Sequence, residues 1–211
     1  SALTMTVAAI VVAGGSGERF GGLKQFAELH GQTLASISVQ RCRDVAQRVV
    51  LVVPASYEGN GEGADAVVRG GATRSDSVRA GLGECGDADI VVIHDAVRPA
   101  ASRALFLRVV EEVRHGAAAA IPGVAVTDTI KVVHGGVVAG TPPRDELVAV
   151  QTPQAFRTDI LLRAHEQGGV ATDDAALVEA LGEKVHVVLG ETGNFKVTEP
   201  SDLARMHLEV R

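Results

Sequence analysis

Tryptophan is absent from this chain of 211 residues, and aromatic side chains make up only 3% of it. A core of normal size must therefore be built from valine, leucine, isoleucine and alanine, the composition of buried parallel strands covered by helices. The same scarcity removes the stacking platforms of nucleic-acid binders. The formal net charge of -6 removes the basic face they need, so no nucleic-acid partner is expected. Cysteine is nearly missing: Cys42 and Cys85 stand alone, with no Cys-x-x-Cys pair. Neither a disulfide framework nor a zinc site is indicated, and a reducing cytoplasm is the expected home. No apolar run is long enough to span a membrane, and the charged-then-apolar plan of a signal peptide is lacking. Lysine occurs at only four positions, Lys24, Lys131, Lys184 and Lys196, and three of these fall in segments that read as site motifs. An acidic chain must hold any anionic substrate locally, and gathering scarce cations in one cleft focuses their field.

What is abundant is apolar sequence, 46% of the chain, which suits a single α/β domain over residues 5–211. Its most informative stretch runs from Val11 to Phe26. An apolar, β-branched segment, Val7 to Val12, reads as a buried strand. The glycines after it let the backbone turn sharply and present bare N–H groups to an anion, with Arg19 and Lys24 beside them. A polyphosphate undergoing substitution needs that pairing, because negative charge grows on the leaving group. Two better-known glycine loops do not fit. A dinucleotide fingerprint from Gly15 would need glycine where Phe20 stands, and a Walker-type loop needs Ser or Thr after the lysine, where Gln25 stands.

Strand and helix patterns alternate from there: helix near Thr33 to Asp44, strand Val49 to Val53, helix near Ser75 to Leu82, strand Ile90 to His94, helix near Ser102 to His115, strand near Ala117 to Ile121. That rhythm predicts a Rossmann-like, mostly parallel sheet with helices on both faces and ligand sites beyond the carboxyl ends of the strands. From 126 to 148 the pattern changes to a β-hairpin around His134-Gly135-Gly136, read as an arm projecting from the domain. Helices near Arg157 to Glu166 and Asp173 to Leu181, a strand Val185 to Leu189 and a helix opening at Pro200 follow, and the glycine-rich segment Glu58 to Ala64 reads as a flexible loop.

Two further clusters carry chemistry. In His94-Asp95-Ala96-Val97-Arg98-Pro99, Asp95 sits at a strand's carboxyl end, where a carboxylate can meet a hydrated Mg2+; as a plain turn, the same letters make Arg98 its ion-pair partner, and His94 is structural. In Gly70-Gly71-Ala72-Thr73-Arg74-Ser75-Asp76-Ser77, two glycines let a flat ring approach the backbone and Ser75 or Ser77 can cap the next helix, leaving Arg74 for a nucleotide.

The order of these motifs, with Asp128-Thr129-Ile130-Lys131, Gln151-Thr152-Pro153-Gln154-Ala155-Phe156, Thr172-Asp173-Asp174-Ala175 and Asn194-Phe195-Lys196-Val197-Thr198, resembles the 2-C-methyl-D-erythritol 4-phosphate cytidylyltransferase family of the non-mevalonate isoprenoid route. The interval from Arg19 to Lys24 is shorter than is usual there, and Leu23 replaces a common proline. The resemblance implies a nucleotidyltransferase-type fold and transfer of CMP from CTP to a polyol phosphate, with Mg2+ as cofactor. It implies that Arg19, Lys24, Arg144 and Lys196 are catalytic. Ala13, Gly14, Gly15, Gly17, Gly71, Arg74, Ser77 and Ala96 would hold CTP. Asp95, Arg98, Thr129, Arg144, Thr152, Thr172 and Lys196 would hold the polyol phosphate, with Asp95 also at the metal. It further implies a homodimer whose arms carry Arg144 toward the partner's cleft. Ribitol 5-phosphate is the rival substrate. A non-catalytic nucleotide-binding regulator is the rival class, disfavoured by intact Arg19, Lys24, Asp95 and Lys196.

Overall fold

The computed structural model describes residues 5–14, 22–169 and 171–209, with side chains of the last helix as far as His207. Strand β1 (Val7–Val12) is apolar throughout because both its faces are covered. Val7, Ala9 and Val11 enter one core while Ala8 and Ile10 enter the other. A 3-10 turn (Lys24–Phe26) and the short strands β2 (Glu28–Leu29) and β3 (Gln32–Thr33) lead into α1 (Leu34–Cys42), capped by Thr33. Then come β4 (Arg48–Val53), β5 (Ala66–Arg69), α2 (Arg74–Leu82), β6 (Ile90–Asp95), α3 (Arg103–Arg114) and β7 (Ala119–Ala125). The arm follows as β8 (Val132–His134) and β9 (Val137–Gly140), and a return through β10 (Val148–Val150) and β11 (Gln154–Arg157) reaches α4 (Thr158–Glu166), α5 (Asp174–Ala180), β12 (Val185–Leu189) and α6 (Pro200–Glu209).

The main sheet runs β5-β4-β1-β6-β11-β7, with β10 continuing along the β11 side of β7 and β12 on its other side. Pairings among β5, β4, β1 and β6 are parallel, as is β12 on β7, while β10 and β11 run antiparallel. Helices α1 and α3 cover one face, and α2, α4 and α5 cover the other. The expected α/β architecture is therefore observed, with β5, β10 and β11 as additions. The expected loop at Glu58 to Ala64 is pinned rather than loose: the Tyr57 hydroxyl accepts from Gly61 N–H, Glu62 accepts from Thr33 and Tyr57, and Arg43 donates to the Gly63 carbonyl. In the arm, Gly135 and Gly136 take φ of 57° and 80°, the two successive left-handed residues that a tight hairpin turn demands. Burial raises both cysteine thiols, Cys85 up to about 12, so neither is a nucleophile near neutral pH.

Candidate active site

Four parallel strands end along one edge of the sheet: β1 at Val12, β4 at Val53, β5 at Arg69 and β6 at Asp95. From β1 the chain moves outward to β4 and β5, then returns to β6 on the opposite side. This reversal opens a crevice between neighbouring connections. A cavity of about 370 Å3 lies there, lined by Gly14, Gly71, Arg74, Ser77, Asp95 and Lys196 among others. A second of about 210 Å3 adjoins it, where Arg98, Thr152, Gln154, Thr172 and Asp173 join Arg74, Asp95 and Lys196. A roomier hollow of about 440 Å3 beside His30, Arg41 and Asp44 shares no residue with either.

Asp95 is the hub. Lys196 Nζ donates to its Oδ2 at 2.9 Å, Arg74 Nη2 stands 3.7 Å from Oδ1, and Arg98 Nε lies 4.0 Å from Oδ2. Burial alone would raise this carboxyl; Lys196, Arg74 and Arg98 outweigh it and hold Asp95 at about 2, ionised at any physiological pH. Behind it, His94 is fully buried with its ring edge against Phe106. The Arg98 carbonyl can only accept, so His94 Nε2 carries the proton and donates to it at 3.1 Å. Nδ1 then accepts from the Thr152 hydroxyl at 3.1 Å, and Thr152 Oγ1 accepts from Asp95 N–H at 3.0 Å. Thr152, expected to touch substrate, is thus also a strut that fixes the backbone of Asp95.

Burial pulls the His94 imidazole down to about 4, with Asp95 opposing and Arg98 assisting. An unfolded chain binds this proton near 6.5 and the folded one only near 4, so its contribution to stability is full above pH 6.5 and falls as pH drops toward 4. Urea unfolding should show a loss from this group of about 2 kcal/mol between about pH 6.5 and 5. In His94→Gln that part of the pH dependence should vanish; an unchanged slope would mean the ring is not held neutral.

The glycine loop itself, including Gly15, Gly17 and Arg19, lies outside the described residues. Its two feet are described: the buried Gln25 side chain donates to the Ala13 carbonyl at 2.6 Å, which fixes Lys24 close to the carboxyl end of β1. Ala13 and Ala96 are buried, and their N–H groups are committed to the carbonyls of Val52 and Val12. A hydrogen bond from either to a ligand must use a carbonyl lone pair, and the Ala13 carbonyl already accepts one from Gln25. The expected serine cap on α2 is replaced by Thr73, which accepts from Asp76 N–H while Asp76 accepts from Thr73 N–H, a reciprocal capping box. Ser77 instead donates to the Thr73 carbonyl. A Cβ at Gly71 would collide with Asp76 Cβ, so this glycine is needed for α2 to pack here, whatever binds in front of it; one at Gly70 would lie 2.6 Å from Ser77 Oγ and displace that hydroxyl.

The shelf under the second cavity is built from two distant segments. Gln151 Oε1 accepts from Glu191 N–H, and Asn194 Nδ2 donates to the Thr152 carbonyl; Thr152-Pro153 is cis. Arg98 Nη1 donates to the Asn194 carbonyl at 2.8 Å. Thr129 and Arg144 line neither cavity of this chain: both are exposed on the arm or its base, where Arg144 donates to the Thr127 carbonyl. Two residues given no role in the sequence, His165 and Asp174, lie buried directly behind Arg74. The Thr172-Asp173-Asp174 run was visible, but nothing local in it points to Arg74, a hundred positions away.

A glycine-lined cavity at the switch point of a parallel sheet, with cations converging on one buried carboxylate, is the arrangement of an α/β nucleotidyltransferase. The family model for 2-C-methyl-D-erythritol 4-phosphate cytidylyltransferase matches residues 7–211. The enzyme of that name from Rhodococcus jostii (strain RHA1) is 47% identical over 207 residues, 93% of this chain and 92% of that protein. The one from Nocardia farcinica (strain IFM 10152) is 43% identical over 94% of this chain and 91% of its own length. The crystal structure of the Thermus thermophilus enzyme superposes with a TM-score of 0.83 at 36% identity, covering 97% of this chain and 98% of that one. The chain belongs to the 2-C-methyl-D-erythritol 4-phosphate cytidylyltransferase family and is a nucleotidyltransferase of isoprenoid synthesis.

Proposed function

We propose that this chain joins CTP and 2-C-methyl-D-erythritol 4-phosphate in the paired cavities around Asp95. The observation that carries the reading is that Arg74, Asp95 and Lys196 line both cavities, so a nucleotide in the larger and a phosphate monoester in the smaller would meet at one charged seam. A phosphate oxygen of the polyol attacks the α-phosphorus of CTP, the bond to the β-phosphate oxygen breaks, and pyrophosphate leaves with that electron pair. The attacking oxygen is already ionised near neutral pH, so no general base is required. Two anions that repel each other must be held in line, and Lys24, Lys196, Arg74, Arg98 and, in the loop outside the described residues, Arg19 reduce that repulsion.

The donor set fits Mg2+ carried by the nucleotide. Among the described residues no three acidic, His or Cys side chains gather into a metal cage, but Asp95 is an ionised oxygen donor at the cavity wall, and Mg2+ in such sites takes one or two carboxylates, substrate phosphates and waters. When bound there it would neutralise charge on the triphosphate. The cytoplasm is the proposed location.

The second copy enters through the arm. Among the described residues strands β8 and β9 pair only with each other, and a lone two-stranded hairpin is marginal in water. Val132, Val133, Val137 and Val138 on it are exposed, as are Val148, Val187 and Leu189 at its base, the last at 74%. Apolar surface of this kind is covered well by the matching arm of a two-fold mate, which would bring Thr129 and Arg144 toward the other cleft.

The reading is tested by pyrophosphate release from CTP with two acceptors. Methylerythritol 4-phosphate should give a kcat/KM at least about tenfold above ribitol 5-phosphate, the loss expected when a site tuned to one acceptor's hydroxyls leaves polar groups unpaired. A higher value with ribitol 5-phosphate would reassign the acceptor and leave the cytidylyl transfer standing.

A further inference from the structure

Asp174 is wholly buried at the first position of α5, and both its oxygens are engaged: Oδ1 accepts from His165 Nε2 at 2.9 Å and Oδ2 from Arg74 Nη1 at 2.5 Å. The other terminal nitrogen of Arg74 stops 3.7 Å short of Asp95 Oδ1, while Lys196 holds the opposite oxygen of Asp95 at 2.9 Å. Arg74 thereby hydrogen-bonds Asp174 and meets Asp95 only at the longer ion-pair distance, while Lys196 supplies the side-chain hydrogen bond to Asp95. A buried charge is costly unless fixed and paired, and the transfer chemistry gives Asp174 no task of its own. Without its anchor the guanidinium would close the remaining gap onto Asp95, neutralise that carboxylate and withdraw from the cavity wall.

We propose that Asp174, backed by His165, is a positioning residue that holds Arg74 off Asp95 and keeps its guanidinium at the wall of the nucleotide cavity. The inference rests on the reading that the 370 Å3 cavity takes CTP. Two physical effects of Asp174→Asn have opposite signs, which makes the outcome diagnostic. Removing one negative charge near the cleft would by itself tighten an anion a few-fold. Losing the anchor of a charge-assisted hydrogen bond weakens it by about tenfold or more.

Calorimetric titration with CTP separates them. Asp174→Asn should raise the Kd for CTP about tenfold, with an unchanged circular dichroism spectrum. In an Arg74→Met background the same substitution should change it less than about twofold, because the effect runs through Arg74. Unchanged or tighter CTP binding by folded Asp174→Asn, or the same loss with and without Arg74, would overturn the proposal. Arg74→Lys reports even if Asp174→Asn does not fold: a single ammonium cannot bond Asp174 and at the same time present a second nitrogen at the cavity wall, so its Kd for CTP should also rise about tenfold. Binding within about twofold of wild type would sink the proposal by itself. If wild-type protein fails to bind CTP, the nucleotide reading fails; if it binds and the variants bind equally, only the role of Asp174 falls.

Discussion

Lys24→Ala is expected to lower kcat by about 10^2 to 10^4 with little change in melting temperature, the scale seen when a preorganised charge stabiliser is removed. The lysine opens the 3-10 turn Lys24–Phe26, and its neighbour Gln25 ties that turn to the Ala13 carbonyl at the end of β1. Its backbone is thereby held next to the foot of the glycine loop, from which the side chain is expected to reach the departing β- and γ-phosphates of CTP. Charge that matters most on the departing pyrophosphate acts in the transition state, so KM for CTP should change far less than kcat. Turnover within about threefold of wild type would remove Lys24 from the catalytic set.

The second large effect concerns the partner copy. Arg144 sits on the exposed 3-10 turn Arg144–Glu146 at the base of the arm, apart from both cavities of its own chain. If it serves the cleft of the mate, Lys24→Ala and Arg144→Ala homodimers are each nearly inactive for different reasons. Refolded together in equal amounts, they should recover about a quarter of wild-type activity: half of the dimers are mixed, and each mixed dimer holds one intact site of two. No recovery despite proven mixed dimers, or a monomer by sedimentation, would place Arg144 outside the partner's site.

How much of this could be read from the chain follows from which forces are local. Parallel strands buried on both faces are written as apolar runs, so β1, β4 and β6 were legible almost to the residue; the half-exposed β12 was legible because its valines and leucine still form a largely β-branched, apolar run, and the main helices were bounded closely. Strand β11 was not, because polar Gln154 and Arg157 bracket only two apolar residues, too short a run to read as a strand; Gln154 is buried by donating to Asp173 and the Gln151 carbonyl, contacts made only in the folded chain. Strand β5 is a short edge of partly exposed residues, with no periodicity to separate it from the loop before it. In the site, Arg74, Arg98 and Lys196 lie around Asp95, whereas Thr129 and Arg144 lie apart from it. What sequence could not reveal is commitment: that Thr152 is occupied by His94 and Asp95, that the N–H groups of Ala13 and Ala96 belong to the sheet, and that Arg74 is held by Asp174. Each of these joins distant segments of the chain, and long-range pairings leave no local trace.

Phosphorus NMR of purified protein with CTP, Mg2+ and methylerythritol 4-phosphate tests the central claim most directly, because it reports which phosphorus is attacked. The account predicts pyrophosphate together with a pair of coupled signals from a new diphosphate diester, both growing at the same rate as the monoester disappears. Orthophosphate with CDP, or CTP left intact beside unaltered monoester, would contradict it.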